Sequence, residues 1–341
     1  MDEVFPDIFL IRQKKSFKFF RPVVNIYVLA GSDGIIYDAG YGQKRTVKKL
    51  ISEIKKIEKH YKDQNKPFKI SRVLLSHSHI DHFPGLARLR KYCGLEIILA
   101  RKTAEIIENK TTFFQHTHAT NEQLLKIQRF KDKKILIPLK INLMHLMHWL
   151  FYGIKYPKNP DEIIDGPTDI LINDEKWRIF FSPGHSSDHI SLYNEKKGVL
   201  FAGDNIFRVK TTWLGPPDSN LNDYVSSLEY MSDLPNLKII LSSHGSPIEN
   251  PKEKIKDALD HRRRRTEQVH RIILDKAEDG ISVKELLKTL YPKGKKVNHR
   301  IARGWVALTL DYLEGRDQIR REEGKREIRF FPKRPASATN H

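Results

Sequence analysis

The sequence predicts a mixed α/β (α+β) chain, and three observations carry that prediction. Short apolar, β-branched runs such as Ile70-Ser71-Arg72-Val73-Leu74-Leu75 have the length and composition of buried strands. Residues 44–60 place Val47, Leu50, Ile51, Ile54 and Ile57 at helical spacing with lysines opposite, the pattern of a helix lying on a sheet. Apolar strands also end repeatedly in a histidine or aspartate close to a glycine. Glycine permits tight turns that leave the neighbouring side chain exposed at a sheet edge. One such ending is ordinary, whereas four along one chain point to a single cluster at one end of a sheet.

In chain order, residues 1–40 read as β, with strands at Ile8–Ile11 and Val24–Leu29, a turn at Gly31–Gly34, and a further strand segment Ile35–Gly40 that ends in a carboxylate and a glycine. Asp38 stands at a strand end, either capping a turn or supporting a metal-bound histidine from behind. After the helix at 44–60 and the strand at 70–75 comes Ser76-His77-Ser78-His79-Ile80-Asp81-His82. Phe83-Pro84-Gly85 then break the strand, and Leu86–Arg90 read as a helix. Side chains two apart on an extended segment point the same way, so His77 and His79 can grip one ion. Asp81 and His82, past the turn, can face a second. Imidazole nitrogen and carboxylate oxygen suit zinc, and iron or manganese in a mixed site. A histidine-rich surface loop is the plain alternative, and the strand context argues against it.

Leu95–Ala100 is a further strand, after which residues 101–165 leave the strand–helix alternation. Thr103–Asn109 and Asn121–Phe130 read as helical and Ile141–Ile154 is apolar on most faces, so this segment reads as an inserted lid or substrate-side element. His116, His118, His145 and His148 lie in it without an accompanying carboxylate, and packing or rim roles are expected for them. Strands resume at Trp177–Phe181, Ile190–Tyr193, Val199–Ala202 and Lys238–Leu241. They lead into Ser182-Pro183-Gly184-His185-Ser186-Ser187-Asp188-His189, Gly203-Asp204 and Ser242-Ser243-His244-Gly245. Downstream, 252–278, a capped start at Ser282 and Val297–Leu313 read as three helices, followed by a hairpin over Gln318–Phe331 and a disordered tail at 335–341.

The chain's 341 residues, 39% hydrophobic and 30% charged, are enough for two domains with a full core. Its one cysteine, Cys93, leaves no internal disulfide framework and suits a reducing compartment. A small buried core residue is the expected role for that thiol. The acidic N-terminus MDEVFPDIFLIRQ has no signal-peptide pattern, and Ile141–Ile154 is too short to span a bilayer. A soluble, cytoplasmic protein with no membrane partner is therefore expected. Net charge is +19, and from Lys252 onward 24 Lys+Arg face 14 Asp+Glu, so the C-terminal quarter holds +10 of it. Such a surface suits an acidic partner such as RNA, and it also suits plain solvation.

Asp38, SHSHIDH, SPGHSSDH, AGD and SSHG, in that order, resemble the five motifs of the metallo-β-lactamase-fold hydrolase superfamily over roughly residues 5–250. The resemblance implies a four-layer αββα sandwich with a helical insertion at about 101–165. It implies two divalent cations, zinc with iron or manganese as alternatives. His77, His79 and His185 would bind the first, Asp81, His82 and His244 the second, and Asp204 would bridge them. His189 matches a common supporting histidine, and Asp81 and His189 are the expected catalytic residues. The chain departs from two-zinc β-lactamases, which have a cysteine where Asp204 stands. Its His82-to-His185 spacing is also long for the glyoxalase II type. Residues 251–334, read as helix, helix, helix, hairpin, resemble the winged-helix C-terminal domain of the β-lactamase-like protein 2 group, whose members include endoribonucleases. Two functions follow as expectations. The first is hydrolysis of an ester, thioester or related small-molecule bond, with 141–154 as a wall for the acyl group. The alternative is a metal-dependent single-stranded endoribonuclease, with Arg262–Arg265, Arg300, Arg303, Arg320 and Arg321 holding phosphates.

Overall fold

The computed structural model describes residues 2–13, 22–118, 137–209, 211–292, 296–324 and 327–333, without the side chains of 118, 137–140 and 296–301. The helix expected at 121–130, the tail at 335–341, and the side chains of His118 and Arg300 lie outside the described residues.

Seven strands in chain order form the first sheet: β1 (Asp2–Phe5), β2 (Ile8–Gln13), β3 (Val24–Leu29), β4 (Gly34–Tyr37), β5 (Ile70–Leu74), β6 (Glu96–Ala100) and β7 (Glu162–Ile164). β1 to β4 pair antiparallel, and β4 to β7 pair parallel. The second sheet has order β12-β11-β10-β9-β8, from β8 (Thr168–Ile172), β9 (Glu175–Phe181), β10 (Ile190–Asn194), β11 (Val199–Gly203) and β12 (Ile239–Ser242). Only β11 and β12 pair parallel within it.

Alternation along the strands sorts the core into layers. Tyr27, Ile35, Tyr37, Leu74 and Ile98 point to a shared interior with Trp177, Ile179, Leu192, Phe201 and Leu241 of the other sheet. Their neighbours Ile26, Ile36, Val73 and Ile97 point the other way, under α1 (Lys44–Asp63) and α2 (Leu86–Cys93), where they meet Val47, Leu50, Ile57, Leu86 and Leu89. Phe180, Tyr193, Leu200 and Ile240 likewise meet Leu221, Leu228 and Ile255. The result is helix, sheet, sheet, helix.

Between β6 and β7 run α3 (Arg101–Ile106), α4 (Lys110–His118) and α5 (Ile137–Tyr152). α5 packs His145 on Tyr156 and His148 on Phe113, and it leaves Leu143, Leu146, Met147 and Leu150 exposed. Cys93 is exposed, not buried as its residue type suggests. It is the last residue of α2, followed by Gly94 in the left-handed conformation, so the chain turns away there before the thiol can be covered.

The outer layer of the second half is α6 (Leu221–Ser232) and α7 (Pro251–Leu274). Ile255, early in α7, sits in the core beneath α6, while Val269 and Ile273, late in α7, join a separate core. That second core is completed by β13 (Ile281–Ser282), α8 (Val283–Leu290), α9 (Lys296–Gly315) and the hairpin of β14 (Ile319–Glu323) and β15 (Ile328–Pro332). One helix therefore serves both sides of the expected boundary at residue 250. Among the described residues no helix is long and apolar enough to cross a membrane.

Candidate metal centre

Five chain segments meet at one edge of the two facing sheets. Asp38 follows β4, residues 75–82 follow β5, 182–189 join β9 to β10, Asp204 follows β11 and His244 follows β12. Parallel strands end on the same side, so loops distant in sequence are brought to one crevice. The seven residues predicted as ligands all fall into three groups, within each of which one ligand atom per residue lies within 4.8 Å of the others. These groups are His77, His79 and His185; His77, His82 and Asp204; and Asp81, His82 and His244.

Asp204 lies between the two ends of the cluster. Its Oδ2 is 3.6 Å from His185 Nε2 and 3.4 Å from His244 Nε2, and its Oδ1 is 3.6 Å from His82 Nε2. At one end His185 Nε2 is 3.0 Å from His79 Nδ1. At the other, Asp81 lies 3.3 Å from His244 Nε2 and 3.6 Å from His82 Nε2.

The rear nitrogens of the rings are already engaged. His185 Nδ1 donates to the Trp213 carbonyl at 2.9 Å, and His244 Nδ1 to the Val23 carbonyl at 2.6 Å. His82 Nδ1 donates to Asp38 Oδ2 at 2.8 Å, and His77 Nδ1 is 2.9 Å from Ser76 Oγ. Such bonds orient each ring and, when the ring is neutral, fix the tautomer that leaves the other nitrogen's lone pair facing inward. His77 Nε2, His82 Nε2 and Asp204 Oδ1 are buried with no hydrogen-bond partner. A buried polar atom without a partner costs on the order of 1–3 kcal/mol. Three of them aimed into one cluster of nitrogen and oxygen donors are what divalent cations would satisfy, so these residues fit a metal centre.

Asp38 supports the cluster from behind, and does more than cap a turn. Its φ is 67°, its Oδ1 accepts the Ser76 N–H at 2.8 Å, and its Oδ2 takes both His82 and the Ser243 hydroxyl. His189 is fully buried behind the ligands. Its Nε2 accepts the Asp204 N–H at 3.1 Å, and its Nδ1 is 2.8 Å from Ser182 Oγ, so both nitrogens are spent on holding the Asp204 loop. Gly203 makes that contact possible. Its φ is +48°, and a Cβ there would stand 2.2 Å from His189 Nε2.

Sequence reasoning missed Asp218. Its buried carboxylate lies 3.3 Å from His79 Nε2 and accepts hydrogen bonds from Ser187 N and the hydroxyls of Ser186 and Ser187. His116, from α4, approaches the same carboxylate at 2.9 Å, so this insertion histidine reaches the site at one remove. His79 thus turns Nδ1 inward because Asp218 holds Nε2.

Electrostatics within the cluster follow from burial and mutual charge. Burial pulls the His244 imidazole down, but Asp204 and Asp81 outweigh it and raise it to about 10. His82 is likewise held well above its ordinary value against burial, by Asp38, Asp204 and Asp81. Burial opposes ionisation of Asp81, yet His82 and His244 bring it down to about 2. His77, by contrast, is pushed well below its usual range by burial and the neighbouring rings, and His185 is lowered to about 4 by burial and then His79.

The arginine run at 262–265 fans around α7 instead of forming a strip. Arg262 donates to the Thr212 carbonyl and lies over Tyr224, and Arg265 lies 4.2 Å over Trp305. Arg263 faces Asp260 at 3.4 Å. In the hairpin, Arg321 is bound bidentately by Glu314, and Arg320 pairs with Glu322.

The sequence matches the family described as the metallo-beta-lactamase superfamily over residues 20–244. It is 24% identical over 255 residues to a beta-lactamase-like protein 2 homolog of Caenorhabditis elegans, covering 74% of this chain and 66% of that protein. It is 25% identical over 248 residues to the atrochrysone carboxyl ACP thioesterase of Aspergillus fumigatus, covering 72% and 58%. The chain thus spans less than two thirds of the length of these curated relatives. In fold it is similar to a metallo-beta-lactamase family protein from Thermus thermophilus, with a TM-score of 0.71 at 19% identity over 97% of this chain and 100% of that one.

Proposed function

The chain belongs to the metallo-β-lactamase superfamily of hydrolases, and from that premise we propose that it hydrolyses an ester, thioester or related small-molecule bond at a two-metal centre. The position of Asp204 carries this reading: one carboxylate lies within 3.6 Å of His185 on one side and of His82 and His244 on the other. His77, His79 and His185 would hold one cation, and Asp81, His82 and His244 the other. Zinc is the proposed metal, with iron or manganese accepted by the same donors. When bound, the cations would supply a water activated at neutral pH and a positive field for the oxyanion that develops.

The chain's own groups do the rest. Asp81, anionic at neutral pH and partly exposed at the mouth, orients the attacking water and accepts its proton. His189 is a positioning residue, since neither nitrogen is free to touch a substrate. Trp213, half exposed beside His185, and Phe207, whose ring centre lies 5.4 Å from that of His244, flank the centre with apolar surface for an acyl group.

The ribonuclease alternative has less support. Of its proposed phosphate contacts, Arg262, Arg263, Arg265, Arg320 and Arg321 already have protein partners, whereas Arg264 has no ion-pair partner among the described residues. The test is metal analysis of the purified chain, followed by parallel assays on a thioester panel and single-stranded RNA. Thioester turnover that Asp204→Ala abolishes together with metal content supports the reading. Cleavage of RNA alone would reverse the ranking. Cutting the chain at 251 would be a poor test, because it removes Ile255 from the catalytic core.

A further inference from the structure

A cavity of about 330 Å³ lies between the loop after Asp204 and one face of α7. Lys254, His261 and Arg264 recur along that face at helical spacing, and Phe207 and Thr211 line the side opposite. Neither Lys254 nor Arg264 has an ion-pair partner among the described residues, and Asp257 is the one acid among the described lining. Arg262 also borders the cavity, with its guanidinium committed to Thr212 and Tyr224. The His261 imidazole reports the local field: burial lowers it, and Arg262, Arg265, Arg264 and Lys254 lower it further. Cations brought together around a concave space with so little compensating charge favour an anionic ligand.

The cavity also adjoins the metal centre. Phe207 forms its wall on one side and meets the His244 ring edge-on. The Thr212 hydroxyl, at its floor, donates to the Asp204 carbonyl at 3.0 Å. An anion held here lies about one aromatic ring from the ligand shell.

We propose that this cavity binds a phosphorylated handle of the substrate, with Lys254, Arg264 and the Thr211 hydroxyl contacting one or two phosphates while the acyl portion reaches past Phe207 toward the metals. Calling the ligand substrate rests on the hydrolase reading; the anion site itself does not. A compact handle is favoured over a polynucleotide because Arg262, Arg263 and Arg265, the neighbours of Arg264 on α7, are each engaged within the protein.

The test uses the full metal-loaded chain and adenosine 3′,5′-bisphosphate, which carries phosphates but no scissile ester, titrated calorimetrically at low and high salt. Wild type should bind it in a salt-sensitive manner. K254E/R264E should bind at least about tenfold more weakly, as expected for losing charge-assisted hydrogen bonds, with metal content unchanged. K254A and R264A, both on the helix surface, give the same reading in smaller steps should the double variant fold poorly. Absence of binding, or equal binding by the variants, overturns the proposal, the latter because the nucleotide then sits on the metals. Tighter binding of single-stranded RNA than of the bisphosphate, with a steeper salt slope, overturns it in favour of a polynucleotide surface. Hydrolysis of a phosphate-free thioester is followed in parallel. Bisphosphate binding without any thioester turnover refutes the hydrolase reading and leaves the anion site standing.

Discussion

Asp218 and His79 lie 139 residues apart, yet the orientation of that imidazole depends on the carboxylate behind it. Removing such a partner usually costs about 10–100-fold in metal affinity. Asp218→Ala is therefore expected to lower affinity by that order in a competition titration against a chromophoric chelator. Asp218→Asn, which keeps an acceptor for the ring N–H, should fall between it and wild type. Gly203→Ala acts on the other flank. With φ at +48° and a Cβ 2.2 Å from His189 Nε2, it should cost about 1–3 kcal/mol in denaturant unfolding and loosen Asp204. The metal-type residues were legible in the sequence because each follows an apolar strand and sits near a glycine. Asp218 was not, because it stands in an irregular loop before α6, where no period or motif marks it. Asp38 was half legible: its strand-end place was visible, but whether it faced a turn or His82 depended on β12 arriving alongside with Ser243.

At the scale of elements, α7 couples the catalytic half to the C-terminal half. Arg262 on it donates to the Thr212 carbonyl, and Thr212 in turn donates to the Asp204 carbonyl. Arg262→Met should keep the helix and its apolar stem contacts but strip that bond. The expected loss is about 1.5–3 kcal/mol of stability, the range for hydrogen bonds to charged groups, with faster metal release into excess chelator. A merely solvated arginine would show neither. Strong local patterns made most elements readable: the lysine-faced stripe of α1, the β-branched runs of β5 and β6, and the capping box of Ser282 and Glu285 at α8. β7 was missed because three residues carry no period, and α6 because its polar face interrupts the apolar one. The neighbours of the arginine run could not be read from the sequence alone. Four like charges in a row look like one patch, but about 100° of rotation per residue separates them, taking Arg262 to Thr212, Arg263 to Asp260 and Arg265 to Trp305 while Arg264 lines the cavity.

Across the whole molecule, metal and fold should be linked, and the sign of the link depends on pH. In the metal-free chain His244 holds its proton to about 10 and His82 well above the ordinary imidazole range of about 6.5. A group whose folded value is raised stabilises the fold fully below its unfolded value and loses that contribution as pH climbs through the folded one. Chelator-treated protein should therefore melt at progressively lower temperature from about pH 6.5 to 10. His77 and His185 work the other way, since burial holds them neutral in the fold. The unfolded chain takes up their protons first, so stability also falls as pH drops below about 6.5 toward 4. The metal-free curve should be a dome with its top near the imidazole value. Loaded protein must keep all these rings neutral, so protons compete with the metal and the added stability grows as pH rises. Melting curves with and without chelator should converge in acid and separate progressively in base. Parallel curves at every pH would mean that the imidazoles do not hold the metal.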